Sequence, residues 1–196
     1  MKGHASSTND PALKLTYDDF VLFPDDGKRH ELIDGEHYVT PSPNIRNQRI
    51  SGRLHLIIGT WLEAHPVGQL FYAPLDIVFS QFDVVEPDLL YVSNARASEI
   101  LTEKHVTGAP EIVVEIASRG TRKRDESIKK RLYERSGVSE YWVVDPEIDV
   151  IRVYVRAGDG FDRARELTAE GGDVLTTPLL PGLEIPLARV FEVVAL

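Results

Sequence analysis

The apolar positions change period several times along the chain, and each change marks an element. Between Pro43 and Ala64, the residues Ile50, Leu54, Ile57, Ile58, Trp61 and Leu62 recur at helical spacing and predict one long amphipathic helix. Upstream, Asp34-Gly35 separates Arg29–Ile33 from Glu36–Thr40, the strongest hairpin signal in the chain. Leu70 to Ala73, Leu75 to Ser80 and Pro87 to Val92 read as successive strands, and Ala95 to Leu101 as a short helix. Glu111 to Ile116, preceded by Gly108-Ala109-Pro110, is a β-branched apolar run and reads as a buried strand. Arg124 to Ser136 returns to helical spacing, with Ile128 and Leu132 facing inward and Gly137 as the stop. Glu140 to Asp145 and Val150 to Arg156 pair most simply across Pro146 to Asp149.

The two ends of the chain give weaker signals. Met1 to Lys14 reads as a loose tail, and Thr16 to Asp19 as a capping box opening a short helix through Leu22. Phe161 to Leu196 alternates short apolar runs with Gly and Pro, which suggests peripheral strands. The expected fold is a single α/β domain over 15–196, a mixed sheet flanked by helices, after a flexible segment over 1–14.

Composition narrows the chemistry. The chain has 196 residues and no cysteine, so disulfides and cysteine-based zinc sites are excluded. No apolar stretch approaches the roughly 18 residues needed to span a bilayer, and no signal peptide is visible, so the expectation is a cytoplasmic protein without membrane contact. The six histidines show no zinc-ligand spacing, and no Walker loop, Gly-x-Ser-x-Gly or dinucleotide fingerprint is present.

The net charge of −9 argues against broad non-specific nucleic-acid binding, but the charge is unevenly spread. Between Arg119 and Arg135 eight basic residues face three acidic ones, a local net of +5 against −14 for the rest. The bland reading is a solvated helix face. The functional reading makes Arg122, Lys123, Arg124 and Lys130 contacts for substrate phosphates.

That basic run directly follows an acid in an apolar strand. A carboxylate at Glu115 is costly there unless it is paired or binds a metal. The bland alternative puts Glu115, with Val113 and Glu111, on a solvated strand face. Asp88 follows Pro87 at the entry of another strand, where a turn-forming Asp is the bland alternative. Lys129 lies four residues after Asp125, and a surface ion pair between them is its bland reading. Together the three fit metal-assisted phosphodiester hydrolysis. Asp88 and Glu115 would hold Mg²⁺ or Mn²⁺, and Lys129 would supply a positive charge beside the reacting phosphate.

Several stretches resemble the Uma-two family, a domain-of-unknown-function group within the PD-(D/E)XK restriction-endonuclease-like superfamily. They are Leu15 to Phe20, Arg29 to Glu36, Pro74 to Val78, Glu86 to Leu89, Gly108 to Ser118, Lys129 to Tyr133 and Gly137 to Pro146. The resemblance implies a restriction-endonuclease-like core and an endonuclease acting on nucleic acid, with DNA expected. It implies that Asp88 and Glu115 are the motif acids. The motif lysine would fall at Ala117, which cannot serve, and Lys129 from the following helix matches best, with Lys130 as fallback. Glu31 matches an acid that the pattern brings toward the site, and Tyr133 is expected to line it.

Two positions depart from the pattern: Ser118-Arg119-Gly120-Thr121 after the catalytic strand, and Asn47 where the family has His. Neither is expected to touch the proposed ligands. A homodimer is the expected assembly, since two symmetric sites cut two strands most simply. The competing readings are an inactive nucleic-acid or protein-binding module on the same fold and a hydrolase of a smaller phosphate ester.

Overall fold

The structure, a computed structural model, describes residues 13–192. Of the expected tail, only Leu13 and Lys14 fall within it. The chain then enters α1 (Tyr17–Phe20), capped as its sequence predicts: the Thr16 hydroxyl accepts from the Asp19 amide, and the Asp19 carboxylate accepts from Thr16. A tight hairpin joins β1 (Arg29–Ile33) to β2 (Glu36–Thr40). Its turn residues Asp34 and Gly35 have φ of 54° and 73°, the positive values that a two-residue hairpin turn requires.

The long helix α2 (Ile45–Ala64) starts at Asn44, whose side chain caps the Asn47 amide. Its apolar stripe, Ile50, Leu54, Ile58 and Leu62, is buried. β3 (Gly68–Tyr72), β4 (Ile77–Ser80), β5 (Asp83–Val85) and β6 (Leu89–Ser93) follow, then α3 (Asn94–Ile100) and β7 (Val106–Thr107). The three-residue β5 has no counterpart in the sequence reading, because so short a strand carries no period.

β8 (Ile112–Ile116) lies parallel to β9 (Glu140–Asp145). Parallel neighbours need a crossover, and here it is one helical run: α4 (Arg122–Arg124), a π-helical turn (Asp125–Lys129) and α5 (Lys130–Ser136). Gly137, at φ 93°, ends it in the left-handed conformation. β10 (Val150–Ala157) pairs with β9 and with β11 (Gly160–Phe161) and β12 (Arg165–Thr168). The C-terminal part adds the ribbon of β13 (Val174–Leu175) and β14 (Ile185–Pro186), and a helix the sequence did not predict, α6 (Leu187–Phe191).

The strands form two sheets and that small ribbon. The larger sheet runs β11-β10-β9-β8-β6-β3, with β12 also on β10; the second runs β2-β1-β5-β4-β7. Period-two alternation sends the side chains of β8 to opposite layers. Ile112, Val114 and Ile116 pack against α2 and the C-terminal segment. Val113 and Ala117 pack toward Leu132 and Tyr133 of the crossover and toward Ile33, Ile77 and Val85 of the second sheet. Glu115 shares that second face, so its surroundings are the crossover helix and the second sheet, not water. This excludes the bland alternative of a solvated face and agrees with the reading of a buried strand, since Glu115 is 4% exposed.

Candidate active site

The ends of β6 and β8 meet at one point. Asp88, just before β6, accepts a hydrogen bond on Oδ2 from the Ile116 amide at 2.7 Å. Its Oδ1 accepts one from Arg29 of β1 at 2.9 Å. Arg29 also lies 3.5 Å from Glu86. The strand-entry carboxylate therefore ties the first sheet to the second and is not a turn former.

Glu115 is satisfied from the crossover. Its Oε1 accepts from Lys129 at 2.8 Å and from the Tyr133 hydroxyl at 2.6 Å. Lys129 and Tyr133 lie one helical turn apart, which brings both side chains to one oxygen. Lys129 has a second partner, Glu31 of β1, at 2.7 Å. The bland reading of a surface pair with Asp125 does not describe Lys129, whose side chain is 2% exposed and bridges the two glutamates. It sits in the π-helical turn, a feature common at functional sites.

Burial and charge set the protonation of this group. Desolvation opposes ionisation of Glu31, but Lys129, Arg124 and the Glu86 amide outweigh it and hold the carboxyl below its usual range. Desolvation pushes Glu115 up to about 8; Lys129 works against this, while Asp125, Glu31 and Asp88 reinforce it. The two glutamates share one lysine yet move in opposite directions, because Glu31 has additional donors and Glu115 has additional anions around it. Burial likewise raises Glu86 to about 7. Desolvation works against the Lys129 charge, but Glu115, Glu31 and Asp125 overcome it and hold the ammonium above the usual lysine range.

A cleft of about 710 Å³ opens onto these groups. Asp88, Glu115, Glu86, Lys129, Arg124 and Asp125 line one side; the α2 face from Asn47 to His55 and Tyr72 to Pro74 line the other. Asn47 donates to the carbonyls of Ile116 at 3.4 Å and Ala117 at 3.2 Å. Position 47 touches neither proposed ligand side chain, but its amide holds the strand end immediately after Glu115. Ser118 and Thr121 bond each other and turn the chain into α4.

The remaining predicted residues divide. Arg124 reaches the cleft and bonds Thr40 at 2.6 Å and Glu31 at 3.5 Å. Arg122 is held by Asp145 and Glu147, Lys130 lies over the Tyr154 ring, and Lys123 is exposed; none of the three is in the cleft wall. Tyr133 is fully buried behind Glu115 and does not line the cleft. Arg29, Glu86 and Asn47 belong to the site without having been assigned a role from sequence. Only the Arg29-His30-Glu31 and Glu86-Pro87-Asp88 stretches hinted at the first two.

Five carboxyl groups, Glu31, Glu86, Asp88, Glu115 and Asp125, gather here with three cations, Arg29, Arg124 and Lys129. Buried oxygens of Asp125 and Glu86 find no hydrogen-bond partner. This surplus of hard oxygen donors fits a divalent cation such as Mg²⁺, which takes one or two carboxylates and completes its shell with water and phosphate. Among the described residues no group of three or more His, Asp or Glu side chains is placed to hold a metal ion, so a cation here would have at most two carboxylates and would rely on water and phosphate for the rest of its shell.

A mixed sheet flanked by helices, with Asp88 and Glu115 at adjacent strand ends and Lys129 beside them on the crossover, is the arrangement of a nuclease-like protein of the restriction-endonuclease-like fold. The chain belongs to the Uma2 family, described as "Putative restriction endonuclease", whose model matches residues 17–188. A comparison with curated proteins returns no match. Among solved structures, the chain is similar to a nuclease described as putative, of the DUF820 group, from Anabaena variabilis ATCC 29413. The TM-score is 0.76 at 18% identity, over 90% of this chain and 97% of that one. At that identity the likeness shows the fold.

Proposed function

We propose that the chain is a metal-dependent phosphodiesterase acting on nucleic acid. The observation that carries this reading is Lys129, buried between Glu31 and Glu115 in the wall of the cleft that Asp88 also lines.

Asp88 and Glu115 would hold Mg²⁺ or Mn²⁺, which supplies charge neutralisation at the phosphoryl oxygens and acidifies water. Lys129 does the work of a fixed cation. With two carboxylates gripping it, its ammonium is set in place before substrate arrives, and no reorganisation is needed as charge develops. Glu31 keeps that lysine charged and aimed. Tyr133 and Lys129 both donate to Oε1 of Glu115, which fixes this carboxyl where it lines the cleft. Arg29 steadies Asp88, and Asn47 fixes the strand end between the two acids.

No helix among the described residues is long and apolar enough to cross a membrane. The experiment is cleavage of plasmid, single-stranded DNA and RNA with Mg²⁺ or Mn²⁺, wild type beside Asp88→Ala. Cutting that requires the metal and disappears in the variant is expected. Cutting that survives either removal would refute the assignment.

A further inference from the structure

Most of the basic run that the sequence offered for gripping DNA is already paired with acids of the protein, Lys129 and Arg124 in its interior and Arg119, Arg122 and Arg135 nearer the surface. Arg119 and Arg122 pair with Glu147, and Arg122 also with Asp145. Arg124 pairs with Glu31, Lys129 with both glutamates, and Arg135 with Asp83. Among the described residues only Lys123 and Arg131 of the run make neither an ion pair nor a ring contact. Duplex recognition depends on many phosphate contacts and an interface of about 1,000–2,500 Å². A chain of net charge −9, with most of its basic segment already paired to acids, is less suited to that.

The cleft itself suits something smaller. Its 710 Å³ lies within the range of about 300–1,000 Å³ typical of pockets that enclose small ligands. Its second wall is aromatic and open. Tyr72, at the end of edge strand β3, is 61% exposed. The ring of His55 braces it edge-on, with centroids 4.8 Å apart and planes at 83°. Tyr72 is thus held against His55 while most of its surface stays open, and it lines the cleft. Beside it on α2, Gly52 presents bare backbone; a Cβ built there meets nothing within 4 Å.

We propose that this cleft takes a short unpaired stretch of single-stranded nucleic acid, with one base stacked on Tyr72 and its phosphodiester directed at Asp88 and Glu115. The inference rests on the phosphodiesterase reading and names the substrate of that same site. Stacking on an exposed aromatic is how proteins hold single strands with little dependence on sequence. A duplex, with its bases already stacked, presents no free base face to Tyr72.

The test is fluorescence anisotropy with labelled oligonucleotides of about eight residues, within the usual size of single-strand sites. Single-stranded DNA, single-stranded RNA and the matching DNA duplex are each titrated with full-length protein in Ca²⁺. At least one single strand is expected to bind about tenfold tighter than the duplex. Tyr72→Ala is expected to weaken single-strand binding about tenfold, a typical stacking loss, and Tyr72→Phe to restore it. Gly52→Leu, placed in open space on a helix, is expected to fold normally and obstruct binding. Equal or tighter duplex binding, or wild-type affinity in Tyr72→Ala, overturns the inference. Parallel cleavage with Mg²⁺ separates the two readings. Preferential duplex cutting overturns the single-strand assignment and leaves the phosphodiesterase standing. Tyr72-dependent strand binding without any cutting supports the binding site and overturns the phosphodiesterase.

Discussion

The ammonium of Lys129 lies 2.7 Å from Oε1 of Glu31, a residue of β1 far from it in sequence. The contact joins the first hairpin to the crossover helix and holds the cation of the candidate site in place. Glu31 is a positioning residue by this account, acting through Lys129.

Glu31→Gln keeps the shape and removes the charge. The buried lysine then keeps Glu115 and the nearby Asp125 as its acidic neighbours. Loss of one partner of a buried pair costs about 3 kcal/mol, so urea unfolding should show a destabilisation of that order. Turnover should fall at least tenfold with substrate KM little changed. Wild-type stability and rate would show that the bridge is dispensable.

Lys129→Met replaces the cation with an apolar chain of similar length. Cleavage should fall at least 100-fold, an effect of the size seen when a preorganised charge is removed from a site. Metal affinity should hold or rise, because the surplus of carboxylates grows. Calorimetric titration with Mn²⁺ beside single-turnover cleavage separates the two effects, and an unchanged rate would remove Lys129 from the chemistry.

Asn47→Ala frees two carbonyls at the end of β8. Each lost bond costs about 1 kcal/mol, so a Tm drop with an overall loss near 2 kcal/mol is expected. Cleavage should fall about tenfold through misplacement of Glu115 and Asp88. Asn47→His, the residue of the family pattern, tests whether another donor restores the strand end; recovery of rate with it is the expected outcome.

The pH dependence of stability follows from the raised acids. Glu115 and Glu86, at about 8 and about 7 in the folded protein, hold protons that the unfolded chain releases near 4.5. The folded state therefore binds more protons between pH 4.5 and 8, and metal-free stability should fall as pH rises through that window. Divalent cation stabilises only the ionised site, so the Tm gain from Mn²⁺ should be larger at pH 8.5 than at pH 5.5. Equal gains at both values would contradict binding at these carboxylates.

Much of this was legible in the sequence, and the reasons differ by residue. The hairpin at Asp34-Gly35 and the stripe of α2 are local patterns, and both formed where predicted. Glu115 announced itself as an acid in an apolar run. The pairing of Arg122 with Asp145, or of Arg135 with Asp83, was not legible, because charge counts do not say which distant strand supplies the partner. The basic run therefore looked like a free surface. Asn47 was missed for the same reason: its partners are backbone carbonyls of β8 and the residue after it, brought near only by the packing of α2. The split into two sheets, and β5 within the second, depends on pairings too short to leave a period.

The most direct measurement is metal add-back on a single-stranded oligonucleotide. Protein stripped with EDTA, dialysed and assayed alone should cut nothing. Restoring Mn²⁺ should recover cleavage in the wild type and leave Asp88→Asn, shown to be folded by its own cooperative melt, inactive. Cleavage by the stripped protein, or equal recovery in Asp88→Asn, would contradict a metal held at Asp88 and Glu115.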